Sequence, residues 1–513
     1  MVLRTAAPCV ALVMALFAGI ISGHDAQRPI GNVGVGVGVG DPECPDYALY
    51  SQYPHPPFSE GPRRLPFQRP AEACRTFRSQ AIEKVIKDVT SRMKDPDLAR
   101  LFENTFPSTT DTTIKFYTDG KSIRFMDVDP GEPNNEGKWE GPQTFVITGD
   151  INAEWLRDST NQLSPYHFLA KLDPHLHTLL LGAINTQAEY VIESPYCNAF
   201  QAPPMSNLPP VANGQDDTVH PMYEPSFVFE CKYELDSLAH FLALANDFYE
   251  HTGSTEFLNS RWLAALERLL DVLEQQSLPT FDPATGQHRM NEYTFQRQTK
   301  LGTETLNLRG IGNPLNNGTG LIRSAFRPSD DATILGFLIP ANAMMAVELR
   351  KAAKMFGDGV WDHGVIKHAK FGEVFAFEVD GYGSHILMDD ANYPSLLALP
   401  RMGFLDRENP VYQNTRRMLL SHLSNPYYLT GRHFHGIGGP HIGVSNAWPM
   451  SLLIQAQTSD DDEEIEECLE LVIRSAPLGL MHESVNVNHI ASYTRSWFAC
   501  KLTDSPKSEA SRF

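Results

Sequence analysis

Positive charge is scarce in this chain. Lys and Arg number 42 against 62 Asp and Glu over 513 residues, giving a formal net charge of −20. Nucleic-acid binding draws on clustered cations that displace counterions from phosphates, so no nucleic-acid partner is expected. An acidic surface suits a neutral substrate better than an anionic one. Long apolar runs are scarce too. The one at Ala6–Ile21 follows Arg4 and ends at small Ser22 and Gly23 before polar His24-Asp25. At about 16 residues it is short for a membrane span and has the anatomy of a signal peptide, here residues 1–23. No later stretch is long and apolar enough to cross a membrane, so none is expected to anchor the processed chain. The terminal Glu509–Phe513 carries no retention signal. These readings predict a secreted or secretory-pathway protein, the Golgi and cell wall included.

Cysteine is sparse as well, with seven in all, of which Cys9 leaves with the signal. The remaining Cys44, Cys74, Cys197, Cys231, Cys468 and Cys500 are an even set, as expected in an oxidising compartment. Pairing of sequence neighbours (44–74, 197–231, 468–500) is the simplest framework. Asn317-Gly318-Thr319 is the one glycosylation sequon. There is no short internal repeat, which argues against a solenoid. Also missing are a phosphate-cradling Gly loop and a nucleophilic Ser elbow.

Residues 24–74 hold the Gly/Val alternation Gly34–Gly40 and a Pro-rich stretch to Pro70, the composition of a flexible arm. Residues 75–513 are expected to form one catalytic domain. Apolar positions at helical spacing begin near Ser79 and recur in Leu176–Val191, Leu263–Leu273 and Ile465–Ile473. About a dozen such segments make the expected fold class all-α with small β-hairpin additions, one of them Thr113–Val128 around Asp119-Gly120. Long Gly/Pro/His-rich loops join the helices, and such loops commonly carry function on a rigid scaffold.

Those loops concentrate the chemistry. The segments are Thr148–Ser159, Glu230–Ser237, Phe326–Ala332, Gly381–Pro394 with Gly438–His441 and Trp448, and Met481–Ser484 with Tyr493–Trp497. Each combines carboxylates with Arg, Lys, His or Trp. Inverting glycoside hydrolysis needs one carboxylic acid to protonate the leaving oxygen and one carboxylate to activate water, roughly 6.5–9.5 Å apart. A pyranose also needs charged and polar groups for its hydroxyls and an aromatic surface for its C–H face. His433, His435 and His441 do not follow a standard zinc spacing, so no metal or cofactor is expected.

Taken together and in order, the blocks WLRDS (Trp155–Ser159), KYELDS (Lys232–Ser237), FRPSDDA (Phe326–Ala332) and HES (His482–Ser484) resemble glycoside hydrolase family 125, the exo-α-1,6-mannosidases, whose fungal members include the meiotically up-regulated group. The resemblance spans roughly Arg75–Lys501. It implies an (α/α)6 toroid barrel and inverting, metal-free release of non-reducing terminal α-1,6-linked mannose from a mannose-containing oligosaccharide or N-glycan. It also implies that Asp330 or Asp331 is the general acid and Glu483 the general base. Trp155, Arg157, Asp158, Lys232, Glu234, Asp236, His385, His441 and Arg495 are the expected sugar-binding set. Ser329 is expected to cap a helix beginning at Asp330. The rival readings are an exo-glycosidase for another sugar on the same barrel and a non-catalytic glycan-binding protein of the secretory pathway. The sequence sets no oligomeric state.

Overall fold

The computed structural model describes residues 44–121, 137–349 and 353–498. The expected signal peptide, the Gly34–Gly40 run and Cys500 lie outside them. Eleven helices of eight or more residues occur among the described residues. They are α1 (Gln80–Arg92), α2 (Pro96–Thr105), α3 (Leu156–Leu163), α4 (Pro174–Glu193), α5 (Leu235–Thr252), α6 (Ser260–Gln276), α7 (Ile339–Glu348), α8 (Ala353–Gly364), α9 (Pro410–Leu419), α10 (Pro449–Gln457) and α11 (Asp462–Arg474). Their starts follow local rules. Asp173 accepts from the backbone N–H groups of His175 and Leu176 ahead of Pro174, which needs no donor there. Gly253, at φ +71°, closes α5 in the left-handed conformation that glycine adopts most readily.

The helices fall into two kinds. Helices α3, α5, α7 and α10 are buried around most of their circumference, whereas α1, α6 and α11 bury one stripe and expose the rest. Each stripe packs on a buried neighbour or on a partner of its own kind: α6 lies on α4, α11 on α10, and α5 on both α3 and α7. In α6 the phase differs from the leucine pattern. Leu263 and Leu270 are half exposed, and the buried face runs through Ala265, Leu269, Val272, Leu273 and Gln276. Leucines on both flanks of the stripe hid its centre. The acidic run at the start of α11 is mostly solvated, with Asp461 as its cap, but Glu464 turns back to Arg416.

Strands are more numerous than an all-α class with hairpins allows: among the described residues, seven antiparallel sheets of two or three strands join the helices. Many of these strands have only two to four residues, too few for an alternating pattern to be seen. The first half of the expected Thr113–Val128 hairpin is a strand, Ile114–Thr118, which pairs with Gln143–Val146. Residues 122–136 lie outside the described set.

The arm is also different from its composition. From Cys44 it is folded onto the domain, held by the Cys44–Cys74 disulfide and by buried Leu65, Gln68 and Arg69. Arg69 bonds Asp111 at 2.7 Å, and the Gln68 N–H donates to Asn104 at 2.9 Å. Cys197–Cys231 is the second expected disulfide. Cys468 is a buried free thiol among the described residues, and its expected partner Cys500 is outside them.

Candidate active site

A three-stranded sheet brings two of the sequence blocks side by side. Glu154–Trp155 pairs with Ala199–Phe200, which pairs with Val228–Glu230. The first strand runs directly into α3 and the third leads through Cys231–Glu234 into α5, with Cys197–Cys231 stapling the second strand to the third. Asn198 locks the junction: its carbonyl accepts from Leu156 N–H, and its side chain accepts from Lys232 N–H and donates to Glu234.

Arg157 enters this junction fully buried. Its guanidinium bonds Glu234, lies 3.3 Å from Asp236 and 3.7 Å from Asp158. One cation thus serves three carboxyl groups. Burial pushes Glu234 well above the ordinary carboxylate range, against the pull of Arg157. The same burial, opposed by Arg157, lifts Asp236 to about 6. Lys232 sits 3.3 Å from both Glu230 and Asp330. Burial works against its charge, yet Asp330 and Glu230 hold its pKa above the usual value. Glu230 in turn receives Arg297, which grips Asp217 through two 2.7 Å bonds.

The FRPSDDA block forms a tight loop, not a helix start. Phe326 and Ala332 bridge across it, Arg327 N–H donates to the Asp331 carbonyl at 2.7 Å, and Asp330 N–H to the Arg327 carbonyl at 2.9 Å. The next helix begins at Ile339, so Ser329 caps no helix and the two aspartates do not sit at a helix start. Asp330 instead occupies the left-handed region at φ +69°, a conformation that costs a non-glycine residue free energy and clusters at functional sites. Arg327 anchors the loop to Glu378 at 2.6 Å, and Glu378 also accepts the N–H groups of Ile334 and Leu335. Burial raises the Asp330 carboxyl above its ordinary range, with Lys232 opposing and Glu230 reinforcing.

His441, on the short turn Pro440–Ile442, faces this loop with Nδ1 3.6 Å from Asp331. Burial disfavours its charge, but the bond to Asp331 and the charges of Asp331, Asp330 and Glu483 lift it to about 9. It thus stands partly buried between the two carboxyl sets, which favour its charged form. Glu483 is buried just before the strand Ser484–Asn486, with Arg495 Nε 3.2 Å away. Burial raises its pKa, and Arg495 and His441 oppose that rise. Arg495 reaches past it to Asp150. Its neighbour His482 is fixed by donating Nδ1 to the carbonyls of Arg495 and Ser496, and burial holds its pKa down at about 4.

The contacts thus connect Arg157, Asp158, Lys232, Glu234, Asp236, Asp330, Asp331, His441, Glu483 and Arg495 through direct pairs and the charge of His441. Trp155 stands behind this set. It is fully buried against Phe229, and Trp448 and Trp497 are likewise buried in core clusters. His385 is exposed on the strand His385–Ile386, its Nδ1 3.4 Å from the Gly383 carbonyl, and no described contact joins it to the carboxylates. Three participants that sequence reasoning left out of the site, Asp150, Glu230 and Arg327, stand inside the quoted blocks. Asp217 and Arg297 lie on a separate two-stranded sheet, and nothing local marks them. Beside the loop opens a cavity of about 540 Å³ lined by Arg327, Ala332, Thr333, Met388, Tyr427 and Pro440, within the size range of small-molecule sites.

Paired carboxyl groups on separate loops, each with a cation beside it and a cavity next to the loop, are the equipment of a glycoside hydrolase. Residues 95–503 match the family of metal-independent alpha-mannosidases (GH125), and the chain belongs to that family. It is 53% identical over 476 residues, 89% of this chain and 90% of the relative, to the "Meiotically up-regulated gene 157 protein" of Schizosaccharomyces pombe. Among solved structures it resembles a Streptococcus pneumoniae metal-independent alpha mannosidase, held in a non-productive substrate complex with alpha-1,6-mannobiose. The TM-score is 0.70 at 30% identity, covering 83% of this chain and 96% of the other.

Proposed function

We propose that this α-mannosidase removes terminal, non-reducing α-1,6-linked mannose from N-glycan-like oligosaccharides with inversion, on an (α/α)6 barrel, in the secretory pathway or outside the cell. The linkage follows the mannobiose bound by the Streptococcus relative. The barrel reading is supported by the alternation of buried and stripe-bearing helices. The observation that carries the mechanism is His441. It lies 3.6 Å from Asp331, and the charges of Asp330 and Glu483 both favour its protonation, so carboxyls about 150 residues apart in sequence share one partly buried imidazole.

In this reading protonated Asp330 gives its proton to the glycosidic oxygen as the C–O bond breaks. Its Oδ2 is buried and has no hydrogen-bond partner among the described residues, and burial keeps the carboxyl protonated to higher pH than usual. Glu483 takes a proton from water as that water attacks the anomeric carbon from the opposite face. Asp331 and His441 hold the sugar, while Lys232 and Arg157 steady the carboxyl groups around it. The test is hydrolysis of α-1,6-, α-1,2- and α-1,3-linked mannobiose, with the product anomer read by NMR. Preference for the α-1,6 linkage and initial release of β-mannose are expected. Initial release of α-mannose would overturn inversion, and equal rates on all three would overturn the linkage. Binding without turnover on any of them would favour a non-catalytic glycan-binding protein.

A further inference from the structure

The folded arm builds a second cavity that adjoins the catalytic set and shares Asp150 and Arg495 with it. It holds about 360 Å³ between Ser51, Gln52 and Tyr53 of the arm on one side and Asp150, Tyr493 and Arg495 on the other. The arm is fixed there by several contacts. The Cys44–Cys74 disulfide closes its base, Tyr47 packs edge-on against Trp497 at 5.0 Å, and the hydroxyls of Ser51 and Ser496 are 3.2 Å apart. The opposite wall is equally fixed. Tyr493 stacks on His482 at 3.6 Å with nearly parallel rings, and His482 holds the backbone of Arg495 and Ser496. Arg495 is the partition, touching Glu483 on one side and Asp150 on the other.

The cavity's chemistry is specific. A carboxylate and a guanidinium balance each other, so a charged ligand gains nothing net. Around them stand an amide, a hydroxyl and Tyr53, which is 65% exposed. An exposed aromatic ring with planar charged donors and acceptors is suited to a neutral polyol ring. The volume lies within the range of small-molecule sites, about 300–1,000 Å³. We infer that this cavity is a second sugar site that takes a neutral hexopyranose other than the unit being cleaved. The hexose belongs either to another branch of the substrate glycan or to a separate free sugar. The inference rests on the mannosidase reading for the identity of the hexose. The arm that forms one wall precedes the family-matched residues 95–503.

The double variant Gln52→Ala/Tyr53→Ala tests it in the full chain with its disulfides intact, since neither residue belongs to the catalytic set. Binding is read first, by calorimetric titration of methyl α-mannopyranoside onto inactive Glu483→Gln protein. Two sugars per chain are expected, falling to one when the double change is added. One sugar in both proteins would overturn the inference, even if the protein proved to have no mannosidase activity. Kinetics then separate the sources. If the site holds a branch, the double variant keeps KM for linear α-1,6-mannobiose within about twofold and raises KM for a branched mannose pentasaccharide about tenfold. Such a shift corresponds to about 1.4 kcal/mol. If it holds a free sugar, added methyl α-mannopyranoside alters turnover of the linear substrate in the parent beyond simple competition, and not in the double variant. Equal changes on linear and branched substrates, with no such modulation, would overturn the inference.

Discussion

Exchanging Asp330 and Asp331 for asparagine, one at a time, separates the proton donor from its neighbour. The two side chains are adjacent in sequence but differently held: Lys232 is 3.3 Å from Asp330, and His441 is 3.6 Å from Asp331. Asparagine keeps the shape of aspartate, and it tolerates the left-handed backbone at position 330 better than most residues. What Asp330→Asn loses is the proton, and general acid catalysis contributes typically 10²–10⁴-fold. The need for that proton depends on the leaving group. A mannose alkoxide needs it fully, whereas an aryl mannoside with a nitrophenolate leaving group scarcely needs it. We therefore expect Asp330→Asn to lose about 100-fold or more in kcat on α-1,6-mannobiose, a barrier increase of about 2.7 kcal/mol. On the activated aryl substrate it should lose less than about tenfold. Asp331→Asn removes the carboxylate nearest His441 and should slow both substrates by a similar factor. The assay is kcat and KM for both substrates with each variant at one pH. Leaving-group dependence in Asp331→Asn would move the acid there. Its absence from both would refute the mechanism and point to Asp236, whose carboxyl burial lifts to about 6.

Glu483→Gln should abolish turnover while leaving mannose affinity within a few-fold by calorimetry; substantial residual hydrolysis would remove Glu483 from the base role. Arg495 lowers the Glu483 pKa, so Arg495→Met should raise it and shift the acidic limb of the kcat/KM profile to higher pH; an unmoved limb would show that Glu483 does not govern it. Excess EDTA should leave activity intact, and a loss restored by zinc or calcium would contradict a metal-free reaction. Glu154 is a buried carboxyl outside the acid–base pair, pushed up to about 8 by burial. Because its folded pKa lies above its unfolded value, its contribution to stability is full below about pH 4.5 and is lost as pH rises towards 8. At 1.36 kcal/mol per unit that span is about 5 kcal/mol. Glu154→Gln should flatten this slope in denaturant melts between pH 5 and 8, and an unchanged slope would refute the reading.

The sequence was most legible where chemistry is dense along the chain. Lys232, Asp330, His441 and Glu483 could be singled out because each stands in a block of polar residues that a core does not require. Helix α4 could be found because Leu176–Val191 keeps its period for several turns. What stayed hidden depends on contacts across distance. Arg297 braces Glu230 from a four-residue strand whose sequence carries no mark of the site. Trp155 sits inside a functional block yet faces its own small core, because it ends the strand while Arg157, two residues on, belongs to the helix. Asp330 was expected at a helix start because Ser-Asp-Asp satisfies capping preferences. Bonds between Arg327 and the two residues Asp330 and Asp331 close a loop there instead. The arm's composition suggested flexibility, but a disulfide and buried Arg69 override composition.

The Cys197–Cys231 bond ties the middle strand of the sheet, Ala199–Phe200, to the strand Val228–Glu230 that leads into α5, with Lys232 as the next residue. By the chain-entropy account, closing a loop across a separation of 34 residues is worth about 4 kcal/mol. That is a large share of the 5–15 kcal/mol that holds an ordinary domain together. The stability of the fold around this site therefore depends on whether the chain is made in an oxidising compartment. Chain made where thiols stay reduced would carry every candidate site residue yet lack the staple between the two strands beside Lys232.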